Sequence, residues 1–338
     1  MRRVGEASES QRGAVGVVVA LLLVALLGFA ALALDIGRIY AEKAQLQNGA
    51  DAAALGVAQI CAANSADTRC ETMSSVGKML TSANANDGLS ELQELVVEKS
   101  VGSVTVRTDA HEPGHEPNSI TMLFAPVFGI EFISVNASAV ARWGGPSAGS
   151  APFSIAFSQC EIDSGPSDDG SLQFLRAHGV GSNDKACTST SSGQELPGGF
   201  GWLVQEPKLS CSVSITLSSP LETGDPGSNF KTGCEAVLEY WKKQLEKGEP
   251  VIAFFPVFDK IVNGQYRIEA FAAFDVRGWN FYNGTGKFAL SEAQPYMPSS
   301  GYSETGFIGK FVEYVAIDDS MEFGGSTKYG AKIVSLTE

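Results

Sequence analysis

AVGVVVALLLVALLGFAALAL, residues 14–34, holds no charged residue, and a helical pattern runs on without proline through DIGRIYAEKAQLQNGADAAALGVAQI, residues 35–60. These two stretches decide the fold. A helix rises 1.5 Å per residue, so about 20 apolar residues cross the hydrocarbon core of a bilayer. Residues 14–34 therefore read as a transmembrane helix. Arg12 precedes it, and Asp35 and Arg38 close it. A cleaved signal peptide is the competing reading, because it too is a short apolar run behind arginines, and Ala31-Leu32-Ala33 offers an Ala-x-Ala site. The run exceeds a usual signal core and continues as helix instead of breaking, which favours the anchor.

Beyond the span, residues 35–60 predict a stalk that extends the membrane helix. Ala50, Ala53, Ala54 and Val57 fall at i, i+3, i+4 and i+7, a narrow stripe of small apolar side chains. Small residues allow close approach of a second helix, as in membrane helix pairs. The same stripe fits a stalk docked on its own domain. Gly49 and Gly56 weaken the helix in isolation.

All six cysteines, Cys61, Cys70, Cys160, Cys187, Cys211 and Cys234, follow the span. An even number on one side of a membrane implies disulfides in an oxidising compartment. Arg2, Arg3 and Arg12 lie before the span, against Arg38 and Lys43 close after it, which also favours a cytoplasmic start, residues 1–13, and an extracytoplasmic remainder. Six cysteines allow 15 pairings. Bridging each to the next along the chain closes the most compact loops and is the expected pattern. No Cys-x-x-Cys occurs, which disfavours a zinc ribbon or a dithiol redox motif.

Hydrophobic residues make up 44% of the 338 and charged residues 18%, enough apolar material for a core. The formal net charge of -14 repels phosphate and argues against nucleic acid as a partner. The fold class is α+β. Residues 35–143 predict the stalk helix and a small α/β region, with short helices in 61–98 including SELQELVVEK from Ser90, then strands VTVRT, NSITMLFAPVF and ISVNASAVARW. GGPSAGSA, residues 144–151, reads as a linker. Residues 152–338 predict a β-rich domain whose strands include PFSIAF, VSITL, VIAFFPVF, YRIEAFAAFDV and FIGKFVEYVAI. Two helices are expected within it, SLQFLRAHG from Ser171 and TGCEAVLEYWKKQLEKG, the latter with Val237, Tyr240, Trp241 and Leu245 on one side.

Motifs for chemistry are few. His111-Glu112-Pro113-Gly114-His115 has the letters of a zinc-protease helix, which needs both histidines on one helical face. Proline and glycine between them oppose that helix, at about 3 and 1 kcal/mol, so a membrane-tethered zinc hydrolase is the weakest alternative. His178 reads as a helix-end residue. The acidic run at 163–170 reads as a solvated turn and not an EF-hand loop. No G-x-S-x-G, G-x-G-x-x-G or Walker loop occurs. The expectation is no catalytic residue, no metal and no cofactor.

Arg12-Gly13 before the apolar helix, Asp35-Ile36-Gly37-Arg38 after it, then Gln45-Leu46-Gln47-Asn48 and Asp51-Ala52-Ala53-Ala54, form a pattern that resembles the start of TadE/TadG-like proteins, pilin-like components of the tight-adherence (Flp, type IVb) pilus system. More loosely, residues 124–144, GGFGWL, PVFD and FAAFDVRGW are similar to long TadG-like chains. The resemblance implies a membrane-anchored, non-enzymatic pilus-assembly or minor pilin-like protein whose partners are other pilin-like proteins and membrane lipid. A surface adhesin or sensor is the alternative. Two departures stand out. Val18 occupies the position five residues after Gly13 where cleaved pilins carry Glu, which predicts an uncleaved start. Asp163-Ser164-Gly165-Pro166-Ser167 lacks the middle serine of an adhesion-type metal site.

Overall fold

One helix, α1 (Ser10–Ala63), runs unbroken for 54 residues, about 80 Å at 1.5 Å per residue. It begins a computed structural model that describes residues 10–86, 88–162, 171–177, 186–227, 229–281, 286–298 and 304–337, with side chains from Val15 onward. From Val15 to Leu34 no residue is buried, and among the described residues no other helix is long and apolar enough to cross a membrane. From Asp35 onward one face is buried at Asp35, Glu42, Leu46, Ala50, Ala53, Ala54, Val57, Ala58 and Cys61. This three-and-four spacing is what a helix lying along a sheet requires.

The sheet beneath it starts with β1 (Ser90–Glu98) and β2 (Ser103–Ala110), an antiparallel pair. Before them α2 (Ser75–Ala83) packs on α1. After them come the two-residue strands β3 (Ile120–Thr121) and β4 (Phe132–Ile133), which pair with each other, and the long β5 (Asn136–Ala151). The second half of the chain adds β6 (Ile155–Ser158), β7 (Gln173–Arg176), β8 (Cys187–Thr188), β9 (Glu195–Leu196), β10 (Phe200–Trp202), β11 (Val213–Thr216) and β12 (Leu221–Thr223). Helix α3 (Glu235–Glu246) follows, then β13 (Val251–Val262), β14 (Gln265–Phe281), β15 (Gly286–Ala289), β16 (Gly306–Val312), β17 (Tyr314–Ile317), β18 (Glu322–Gly325) and β19 (Ala331–Thr337).

Two large sheets result. The first runs β1-β2-β5-β19-β17, with β11 and β18 added along the second half of β5; the second runs β10-β6-β13-β14-β16-β7, with β12 and β15 added to β14. Neighbouring residues of β19 serve opposite cores. Val334 joins the α1 layer, while Ala331 and Ile333 join the core between the sheets. The far face of the second sheet is covered by α3 through Leu238, Trp241 and Leu245 over a dense aromatic core that includes Phe153, Phe157 and Phe274. The middle of β14 is consequently buried on both faces, more than the single buried face its alternation predicts.

The α+β class and the apolar helix leading into a disulfide-bearing β-rich region stand as read from sequence. Several local readings change. SELQELVVEK is β1, not a helix. Leu92 and Leu95 both reach the core at a helix-like spacing because a bulge falls between Leu92 and Glu94 and resets the alternation. Of SLQFLRAHG, Gln173–Arg176 is an edge strand paired with β16, tertiary pairing having overridden a short helical pattern; His178 lies outside the described residues, as does the acidic run at 163–170. Residues 144–151 are the second half of β5 and not a linker. Their small side chains serve close packing: a Cβ on Gly145 would lie 2.5 Å from the Gly325 carbonyl oxygen. In α3, Tyr240 faces solvent.

The cysteines pair in chain order, Cys61 with Cys70, Cys160 with Cys187 and Cys211 with Cys234, with Cα–Cα distances of 5.0, 5.5 and 4.6 Å. Cys211 and Cys234 are fully buried and close a loop with little core of its own. Loop-closure entropy gives that bridge about 3 kcal/mol. Cys211→Ala with Cys234→Ala should therefore lower the thermal midpoint by roughly 6–12 °C, measured by circular dichroism; a shift under about 2 °C would show that the loop is held by other contacts.

Candidate membrane-boundary site

The end of the apolar span is where the sequence motifs and the tertiary structure meet. Asp35 is the first buried residue of α1 among the described residues. Its carboxylate accepts from three consecutive backbone N–H groups: Leu123 at 2.9 Å, Phe124 at 3.0 Å and Ala125 at 2.7 Å. These are the free donors at the head of a 3-10 turn, Ala125–Phe128, so Asp35 caps that turn from a distant helix. Burial opposes ionisation here, but the three N–H donors and the Arg38 charge outweigh it and hold the carboxyl below the usual carboxylate range.

One turn further on, Arg38 donates to Glu112, whose other oxygen accepts from the Thr121 backbone N–H at 3.1 Å and from the Thr121 hydroxyl. The glutamate of the H-E-x-x-H letters is thus a structural acceptor that ties α1 to the loop between β2 and β3. His111 faces Glu91 at 3.8 Å, and His115 packs on the Phe132 ring at 5.1 Å. The segment is a turn around Gly114, not a helix. Among the described residues no group of three His, Cys, Asp or Glu side chains is placed to hold a metal. Arg12 is within α1, its side chain outside the described set.

Higher along α1 the polar residues of the motif dock the helix. Lys43 donates to the Asn136 carbonyl, Gln45 accepts from Asn86 N–H at 2.6 Å, and Gln47 donates to the Ser138 carbonyl at 3.1 Å and to Asp51 at 2.8 Å. The Thr108 hydroxyl donates to the Leu46 carbonyl at 2.9 Å. Ala50, Ala53, Ala54 and Val57 are fully buried in one cluster with Leu95, Val104, Val106, Ala139, Ala141 and Val334. The stripe faces the chain's own sheet, which closes it to a second helix. A helix does approach α1 closely, but it is α2. A Cβ on Gly56 would lie 2.4 Å from Leu80 Cδ1.

The elements Asp-x-Gly-Arg, Gln-Leu-Gln-Asn and Asp-Ala-Ala-Ala therefore all act on one task, fixing α1 to the domain. Residues 13–59 match the family model described as putative Flp pilus-assembly TadE/G-like. This TadE/G-like segment covers the apolar span and the docked half of α1, and it supports membrane association, a pilus-associated role and contact with other pilus components. No curated protein and no solved structure matches the chain. The partners of the TadE/G-like side chains, the Glu112 carboxylate and Ser138 carbonyl that accept and the Leu123–Ala125 N–H groups that donate, were not legible beforehand, because each lies 74 to 91 residues away in sequence. The one advance signal was the uncharged run LFAPVFGI at 123–130, which reads as strand from composition alone.

Proposed function

We propose that this chain is a non-enzymatic, membrane-anchored structural component of a Flp pilus system, an assembly or minor pilin-like protein. The observation that carries this reading is the continuity of the TadE/G-like helix: apolar and unburied to Leu34, then the spine of a folded domain from Asp35. Such a helix holds a domain at a fixed place beside a membrane machine. We place the domain outside the cytoplasm, with the residues before the span inside. The three bridged cysteine pairs, all on one side of the span, support that orientation.

Removing the chain from its host should strip Flp pili from the surface, counted by electron microscopy, and the full-length chain should restore them. In the same cells, protease added outside should remove a C-terminal tag without lysis. Normal pili in the deletion strain would reject the pilus role, and a tag protected until lysis would reject the orientation.

A further inference from the structure

The apolar loop that Asp35 caps is left in the open. Val127 and Phe128 are 85% and 84% exposed, with Leu123, Phe124 and Ile130 also bare. No charged residue falls between Leu123 and Ile130. An exposed apolar patch of this kind on a folded domain marks a surface meant for another apolar phase.

Its position identifies that phase. The loop and α1 enclose a groove of about 580 Å³ whose walls are Leu27, Leu34, Val127, Phe128 and Ile130, among others. Leu27 lies eight residues before Asp35, about 12 Å down the helix axis. That wall of the groove is the membrane-spanning segment itself, so the loop stands beside the span at hydrocarbon depth. The only charged group at the groove, Asp35, has its oxygens occupied by backbone N–H groups. We propose that the loop at 123–130 is a second membrane element, whose tip enters the leaflet facing the folded domain and whose groove is filled by lipid acyl chains. Asp35 is the stop that sets its depth. An interfacial element of this kind buries its apolar face about 5–10 Å into the leaflet, which the reach along α1 permits. The loop adds apolar area to the anchor and gives the domain a second point of contact beside its helix.

The inference rests on the anchor reading of α1, and one experiment separates the two. Full-length chain carrying Phe128→Trp is reconstituted in phosphatidylcholine vesicles with brominated acyl chains, and the signal of the unsubstituted chain is subtracted. The added indole should lose about half or more of its fluorescence, as expected for a side chain at 5–10 Å depth. Tyr40→Trp, on an exposed site five residues past Asp35, should keep its fluorescence and mark the water side. Val127→Trp, equally bare, repeats the measurement at a second position. Chain that fails to float with vesicles overturns the anchor and the loop insertion together. Floating chain with an unquenched, red-emitting reporter overturns the insertion alone. A blue-shifted but unquenched reporter overturns the lipid assignment in favour of cover by protein, such as a second copy.

Discussion

Ala53→Asp should destabilise the domain rather than loosen a contact between subunits. Ala53 has no exposed surface and lies among aliphatic side chains of α1, β2 and β5. A carboxyl there is set among buried aliphatic side chains, and the site must either expel it or hold it uncharged. Burying an unpaired charge belongs to the costly class of substitutions, about 3–5 kcal/mol, which corresponds to a fall of roughly 6–20 °C in thermal midpoint for a domain of this size. Ala53→Ser, nearly the same in volume, should cost far less. The check is thermal melting of the reconstituted chain, followed by pilus counts at a temperature where both variants remain folded. A variant with unchanged melting and lost pili would return the stripe to the role of a subunit seam, which its burial contradicts.

Arg267→Met should be the most damaging single change among the described ion pairs. Asp259 is 1% exposed; it accepts from Arg267 Nε at 2.7 Å, from the same guanidinium a second time and from the Ser191 hydroxyl. Its backbone carbonyl accepts from Ser192, and Gln194 clips to Ile261, so this aspartate fastens the turn between β8 and β9 to β13. Removing Arg267 strands a buried carboxylate. The cost is about 3 kcal/mol, at the low end for a broken buried pair because part of the Arg267 side chain reaches water. Asp259→Asn in the same chain should recover part of the loss, since the stranded charge is then gone. Burial raises the Asp259 pKa, but the Arg267 and Ser191 donors and the Arg267 charge lower it further, and the folded value lies below the unfolded one. The stability this group contributes is therefore complete above the unfolded pKa of about 4 and drains away as pH falls through the folded value. Acid should destabilise the parent more than Arg267→Met, read as melting temperature from pH 7 to pH 3. Equal acid sensitivity would show that Asp259 is not held by this arginine.

What the sequence made legible is local. The apolar span needs only composition, the stripe at Ala50, Ala53, Ala54 and Val57 needs only helical spacing, and the cysteine pairs needed only short loops. The partner of the stripe was a different matter. Small side chains at that spacing suit a sheet as well as a helix, and only the strands brought beneath α1 decide between them. Leu92 and Leu95 show the same limit from the other side, because a single inserted residue makes a strand imitate helical periodicity. Gly144 to Ala151 failed for a third reason: glycine and serine that permit close strand packing are compositionally the same as those that loosen a linker. The donors to Asp35 are a run of backbone amides, which carries no side-chain signature at all.

The interleaving of β19 between β5 and β17 also imposes an order of events in time. Val334 supplies part of the surface on which Ala53 and Val57 rest, yet it is made some 270 residues after the helix that needs it. At ribosomal speeds of about 5–20 residues per second, that delay is on the order of tens of seconds. Throughout it the docking face of α1 is incomplete and the first sheet lacks an interior strand. The nascent chain must be kept from premature association for that interval, and the final seven-residue strand acts as the latch that ends it.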